Sequence, residues 1–200
     1  MIKVIILGAT GLIGHQVYLR LKANKNFSVF SFAHQRKISE DTVLLGVRDE
    51  YKLEKTLIDI NPAVIVNCMG VLIGEANCDP ENAIFLNAYM PQRLKSISNA
   101  LSAKLVHIST DCVFSGRRGS YTEYDIKDAE DTYGRTKSLG EVTELPHVTL
   151  RTSVVGPEIK DGEELFHWFM FQEEKIKGFT NSFWSGVTTL ELAKAVEWAI

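Results

Sequence analysis

The chain is 200 residues long, 45% hydrophobic and 24% charged, with a formal net charge of −3. That is ordinary globular composition, with length for one domain and part of a second. Its densest basic groups are Arg36-Lys37 and Arg117-Arg118, which gives no nucleic-acid-binding stripe, and no window approaches the ~20 apolar residues of a membrane span. Cys68, Cys78 and Cys112 are odd in number and lack metal-finger spacing, so free thiols in a cytoplasmic protein are expected. His15, His34, His107, His147 and His167 are scattered without ligand spacing, and no metal site is expected.

Ile2–Leu7 is a continuous apolar run, as expected of a strand buried on both faces of a parallel sheet. Gly11 to Lys22 has helical spacing, with Leu12, Val17, Leu19 and Leu21 as apolar positions. Strands are predicted over Phe27–Phe32 and Val43–Leu45. A helix then starts at the N-cap Asp49, carries Leu53, Leu57 and Ile60, and stops at Asn61-Pro62. Ala63–Val66 is the next strand. A long helix is predicted from Pro80 to Leu101 with an interruption near Pro91, followed by a strand over Leu105–Ser109. Residues 116–131 are polar and turn-rich. Thr132–Thr143 reads as a helix, Val148–Thr152 as a strand, and a last helix begins at Thr189 after an aromatic-rich stretch. Strands alternating with helices predict an α/β fold with a doubly wound parallel sheet, residues 1–155 forming the Rossmann-type domain and 156–200 a small second lobe.

The turn Gly8-Ala9-Thr10-Gly11-Leu12-Ile13-Gly14 joins the first strand to the first helix. Its glycines allow a sharp turn and close backbone approach, and a helix N-terminus supplies free N–H groups to a diphosphate. At the first β-α junction of such a sheet it predicts dinucleotide binding. The region after the second strand, Ser31-Phe32-Ala33-His34-Gln35-Arg36-Lys37, has no acid before Glu40. A ribose 2′-hydroxyl usually meets an acid there, whereas His34, Arg36 and Lys37 suit a 2′-phosphate. NADPH is therefore the expected cofactor, with NADH as the second choice.

Ser109-Thr110-Asp111 ends a strand at the sheet's carboxyl edge, and Tyr133 and Lys137 lie one helical turn apart on one face. A phenol with its ordinary pKa of ~10 is a poor proton carrier near neutrality, and an adjacent ammonium is expected to lower it. Thr110 would orient a substrate oxygen, and the set suits hydride transfer with the proton passing through Tyr133.

The motifs GATGLIG, NCMG, FLNA, HISTDCVFSG, YTEYD, YGRTKSLGE and LRTSVVG occur in that order over nearly the whole chain. In this the sequence resembles the extended short-chain dehydrogenase/reductases, and within them the dTDP-4-dehydrorhamnose reductase-like branch. The resemblance implies that Thr110, Tyr133 and Lys137 are catalytic, that Lys137 also holds the nicotinamide ribose, and that Asn87 supports them. It assigns Leu12, Ile13, Val47, Cys68, Met69 and Gly70 to the cofactor, and Val71, Asp111, Cys112 and Val154 to the substrate. The implied activity is NADPH-dependent reduction of the 4-keto group of a nucleotide-linked deoxysugar, for cell-surface polysaccharide precursors, in a protein that can form a homodimer. A sugar-nucleotide 4-epimerase and a non-catalytic regulatory subunit of the same fold are the alternatives. A 4,6-dehydratase would place a second acid after Asp111, where this chain has Cys112.

Three positions depart from the branch. A family lysine is Glu75, a family tryptophan is Val154, and the acid that helps hold the adenosine side is Gly46. Members also typically continue for several dozen residues beyond the equivalent of Ile200, so the substrate lobe is expected to be incomplete.

Overall fold

Strand β1 (Ile2–Leu7) is the element on which the sheet is built in this computed structural model, which describes residues 1–159 and 164–200. Its last four residues are buried; side chains alternate between the faces, and both faces are covered. In chain order the elements are α1 (Gly14–Ala23), β2 (Phe27–Ala33), β3 (Val43–Leu44), α2 (Glu50–Ile60), β4 (Val64–Asn67), α3 (Ile73–Cys78) and α4 (Pro80–Ala83). A π-helical turn (Ile84–Tyr89), α5 (Met90–Ala100), β5 (Lys104–Ser109), α6 (Thr132–Gly140) and β6 (Val148–Arg151) follow. The strands from β1 to β6 form one parallel sheet in the order β3-β2-β1-β4-β5-β6. The order reverses between β1 and β4, which opens a crevice at the carboxyl ends of the strands.

Val4 and Ile6 face Val17 and Leu21 of α1, while Ile5 and Leu7 face Leu53 and Leu57 of α2 and Met90 and Leu94 of α5. The remaining elements are the two-residue strand β7 (Val154–Val155), α7 (Leu165–Met170), strand β8 (Val187–Thr188), which pairs with β7, and α8 (Thr189–Ala199). Leu192, Ala193 and Val196 of α8 share the core of β1 and α1. Part of the 156–200 span is thus continuous with the sheet domain. Residues 160–163 of the predicted lobe lie outside the described residues.

The helix boundaries differ from expectation for local reasons. α1 begins at Gly14 because the glycine turn occupies the preceding residues. Gly8 sits at φ +78°, and a Cβ on Gly14 would lie 2.0 Å from the Gly8 carbonyl oxygen. α6 ends at Gly140, short of Thr143, because Glu141 leaves helical geometry (ψ 134°) to turn its carboxylate toward β5 and β6. α3 shows no signal in the sequence, since six residues are too few to display a period.

The predicted interruption of the long helix is the π-helical turn, directly before Pro91. Proline has no N–H to offer the carbonyl four residues back, that of Asn87, and a widened turn absorbs the mismatch. The freed carbonyl faces Gly140, whose Cβ, if present, would lie 1.9 Å from it. Gly140→Ala is therefore expected to destabilise the protein by about 1–3 kcal/mol, since backbone stands in the way of the methyl. Urea unfolding checks this, and an unchanged midpoint would remove the close approach as a constraint.

Candidate active site

The crevice at the carboxyl ends of β1, β2 and β4 is a cleft of about 390 Å³. Of the residues predicted to hold a cofactor, Gly8, Thr10, Gly11, His34, Val47, Cys68, Met69 and Gly70 line it. Leu12, Ile13 and Gly14 complete the turn beside it, Gly14 lying against Gly8. Arg36 and Lys37 are exposed and do not line the cleft, and the Lys37 ammonium donates to the Glu40 carbonyl at 3.0 Å. Sequence reasoning missed Phe32, Leu45, Arg48, Asn82 and Leu86 on the walls. Leu45 to Arg48 follow β3 at the carboxyl edge, a position that could have flagged them. Asn82 had no such signal, because only the α3–α4 fold brings it there.

Gly70 is where the cleft meets the predicted catalytic set. A Cβ on it would lie 3.0 Å from Asn87 Oδ1 and 3.6 Å from the Lys137 ammonium nitrogen. The fully buried Asn87 side chain accepts from the Val71 backbone N–H at 3.0 Å and donates to the Val71 carbonyl at 3.2 Å, fixing the chain after β4. Val71 itself is buried with Ala76 and Ala83, and Tyr133 packs against that cluster.

Thr110 ends β5. Its hydroxyl accepts from the Cys112 N–H at 3.1 Å and donates to Asp111 Oδ1 at 3.3 Å. Asp111 also accepts a short hydrogen bond from Ser153, which ties this turn to the segment carrying Val154 in β7. α6 starts at the N-cap Asp131, which accepts from the Gly134 N–H at 2.9 Å. Gly134 is needed beside Tyr133: a Cβ there would lie 2.3 Å from the Cys112 carbonyl oxygen, so α6 can approach the Thr110 turn only with glycine at this point.

The electrostatics depart from expectation. The Tyr133 phenol is pushed up to about 12 by burial, with the Thr110 hydroxyl pulling the other way and the Cys112, Asp111 and Asp131 charges pushing further. Lys137 is not among the groups that move it. Its ammonium instead donates to the Ile108 carbonyl at 2.7 Å. Burial lowers Lys137 to about 8, against the smaller raising effects of Cys68 and Glu141. Cys68 is raised to about 12 by burial, Lys137 opposing, so both are uncharged thiol and weakened cation rather than a reactive pair.

A doubly wound parallel sheet, a glycine turn at its first β-α junction and a Thr110/Tyr133/Lys137 group beside the crevice define a Rossmann-type α/β protein. The family described as RmlD substrate binding domain matches residues 2–175, and the chain belongs to that family. It is 32% identical over 177 residues to methionine adenosyltransferase 2 subunit beta of Bos taurus, which covers 86% of this chain and 52% of that protein. It is 30% identical over 139 residues to a dTDP-4-keto-6-deoxy-D-glucose reductase of Streptomyces niveus, covering 68% and 45%. The chain thus spans about half the length of the curated relatives it matches. Among solved structures, a hypothetical dTDP-4-dehydrorhamnose reductase from Sulfolobus tokodaii superposes with a TM-score of 0.87 at 25% identity, covering 98% of this chain and 71% of that one. A dTDP-4-dehydrorhamnose reductase from Bacillus anthracis, solved in complex with NADP, does so with a TM-score of 0.67 at 25% identity, covering 79% and 57%.

The Lys137 shift has a direct consequence for stability. Its folded pKa, about 8, lies below the ordinary 10.5, so between those values the unfolded chain holds a proton that the folded one has released. Stability then rises as pH passes through the folded pKa, and the burden of the buried charge is felt in full only well below it. Compared with Lys137→Met, the wild type is expected to gain about 1 kcal/mol between pH 7 and pH 9. Paired urea titrations measure the difference, and a flat difference would mean that Lys137 keeps an ordinary pKa.

Proposed function

We propose that this chain carries the cofactor cleft and proton-transfer set of an NADPH-dependent reductase acting on the 4-keto group of a nucleotide-linked deoxysugar. The observation that supports this most directly is the placement of Tyr133 on α6 against the Thr110 turn and the Val71 cluster, next to the Gly70 end of the cleft. Reducing a ketone requires a proton for the developing alkoxide. Because an alkoxide is a stronger base than a phenolate, Tyr133 can donate to it even though burial weakens the phenol as an acid. Bound nicotinamide would supply the hydride.

Each residue has a task in that scheme. Thr110 hydrogen-bonds and orients the substrate oxygen, and Tyr133 delivers the proton to it. Lys137, anchored on the Ile108 carbonyl, holds the nicotinamide ribose. Gly8, Thr10, Gly11 and the start of α1 receive the diphosphate, while Cys68, Met69 and Gly70 form the floor of the cleft. Arg36 and Lys37, on the turn after β2, are the cations proposed for a 2′-phosphate, while structures of this fold have been solved with NADP or with NAD. Val71, Asp111, Cys112 and Val154 face the sugar side. The product would serve deoxysugar assembly for cell-surface polysaccharide.

The likeness to methionine adenosyltransferase 2 subunit beta supports a second reading, a cofactor-binding subunit without turnover. One experiment separates the two. The purified protein is titrated with NADPH by fluorescence and then offered a panel of dTDP- and UDP-linked 4-keto-6-deoxysugars. Under the reductase reading one sugar oxidises the cofactor, and Tyr133→Phe slows turnover by ~10²-fold or more while NADPH affinity stays within about threefold. Undiminished turnover would remove Tyr133 from the mechanism, and NADPH binding without oxidation by any sugar would favour the subunit reading.

A further inference from the structure

The end of the cleft away from Lys137 lies between the tips of β2 and β3 and the start of α4. Leu45, Val47 and Leu86 line the cleft, and a Cβ on Gly46 would lie 3.7 Å from the His34 ring. At Gly46 there is no side chain to receive the amino group of a base. The lining also carries two polar side chains, Arg48 and Asn82. The Arg48 guanidinium lies 4.5 Å over the Phe85 ring and donates from Nη2 to Asn82 Oδ1 at 3.0 Å. Asn82 is itself fixed, because its backbone N–H donates to the Asp79 cap at 3.0 Å.

We infer that Arg48 and Asn82 form the adenine-recognition clamp of the cleft, Asn82 reading the base edge. The inference rests on the nucleotide-binding reading of the cleft given above. An asparagine amide matches the edge of adenine bidentately: its oxygen accepts from the 6-amino group and its nitrogen donates to a neighbouring ring nitrogen. The bond from Arg48 identifies which end of the amide is oxygen and leaves Nδ2 as the free donor. One lone pair of Oδ1 remains for the amino group. Stacking on Phe85 holds the planar guanidinium in place, which a lysine could not reproduce. Leu45, Val47 and Leu86 supply apolar surface for the faces of the ring.

Equilibrium titrations of the full chain with NADPH, NADH and the hypoxanthine analogue of NADPH test this without any turnover. The analogue replaces the 6-amino group by a carbonyl, which turns the donor facing Asn82 Oδ1 into an acceptor. The wild type is expected to bind it about tenfold more weakly than NADPH or worse, and Asn82→Ala is expected to erase that preference. Arg48→Ala and Arg48→Lys should weaken NADPH and NADH by the same factor, whereas Arg36→Ala should weaken NADPH alone. Melting curves of the variants confirm that each is folded. Equal wild-type affinity for the adenine and hypoxanthine forms would overturn the clamp while leaving the nucleotide reading intact. So would a loss confined to NADPH in Arg48→Ala, which would make Arg48 a phosphate ligand. Failure of the wild type to bind any dinucleotide would overturn the nucleotide reading and the clamp with it.

Discussion

The arrangement of this site depends on one buried carboxylate. Glu141, whose side chain is fully buried, accepts from Ser109 Oγ at 2.7 Å, from Arg151 Nε and Nη2 at 2.8 and 2.6 Å, and from the Lys127 ammonium at 3.0 Å. Burial alone would raise its pKa, but the bonds from Arg151, Ser109 and Lys127 outweigh it and the group is held below the usual carboxylate range. Such a charge is tolerated because every direction around it is answered by a donor; removing one partner of a buried pair typically costs about 3–5 kcal/mol. The donors come from the end of β5, from β6 and from the loop before α6. Glu141 thereby fixes the end of α6 against the strand that presents Thr110, and the spacing of Thr110, Tyr133 and Lys137 follows from that anchor.

Glycine sets the depth at which α6 docks. Gly134 meets the Cys112 carbonyl and Gly140 the Asn87 carbonyl, so the helix touches backbone at both ends of its buried face. Between those contacts Lys137 has nowhere to point except the sheet, and it takes the Ile108 carbonyl. Tyr133, one turn earlier, faces the Val71 cluster and the Thr110 turn. A side chain buried to that degree loses water whatever charge stands nearby. This is why phenol and ammonium both shift toward their neutral forms, instead of the ammonium dragging the phenol down.

That contrast marks where the sequence was informative. Strand and helix alternation, the Gly8–Gly14 turn and the Thr110/Tyr133/Lys137 set were legible, because each rests on a local period or a short spacing. The direction of the Tyr133 shift was not: i,i+4 spacing reports a shared face but not the depth of burial. Arg36 and Lys37 were visible as cations after β2, yet nothing in the sequence told that they stand outside the cleft lining while Arg48 stands on it. Glu141 was visible as part of a motif but not as a charge centre, since its partners lie 10 to 32 residues away in sequence. The π-helical turn was anticipated only as an interruption near Pro91.

That turn connects the two ends of the cleft. Asn82 and Asn87 belong to one helical run, five positions apart. In regular α-helix that spacing would turn the second about 140° away from the first. Asn82 stands at the start of the run on the cleft wall, and Asn87, inside the π-helical turn, is fully buried and bonded to Val71. The widened turn that Pro91 makes tolerable therefore lets a single run serve two purposes. Its first residues border the crevice, and its middle clamps the backbone after β4 beside Gly70 and Lys137. Because Gly140 of α6 packs on the Asn87 carbonyl that the same turn frees, a change in the run would be felt at both ends of the cleft and in the docking of the helix that carries Tyr133.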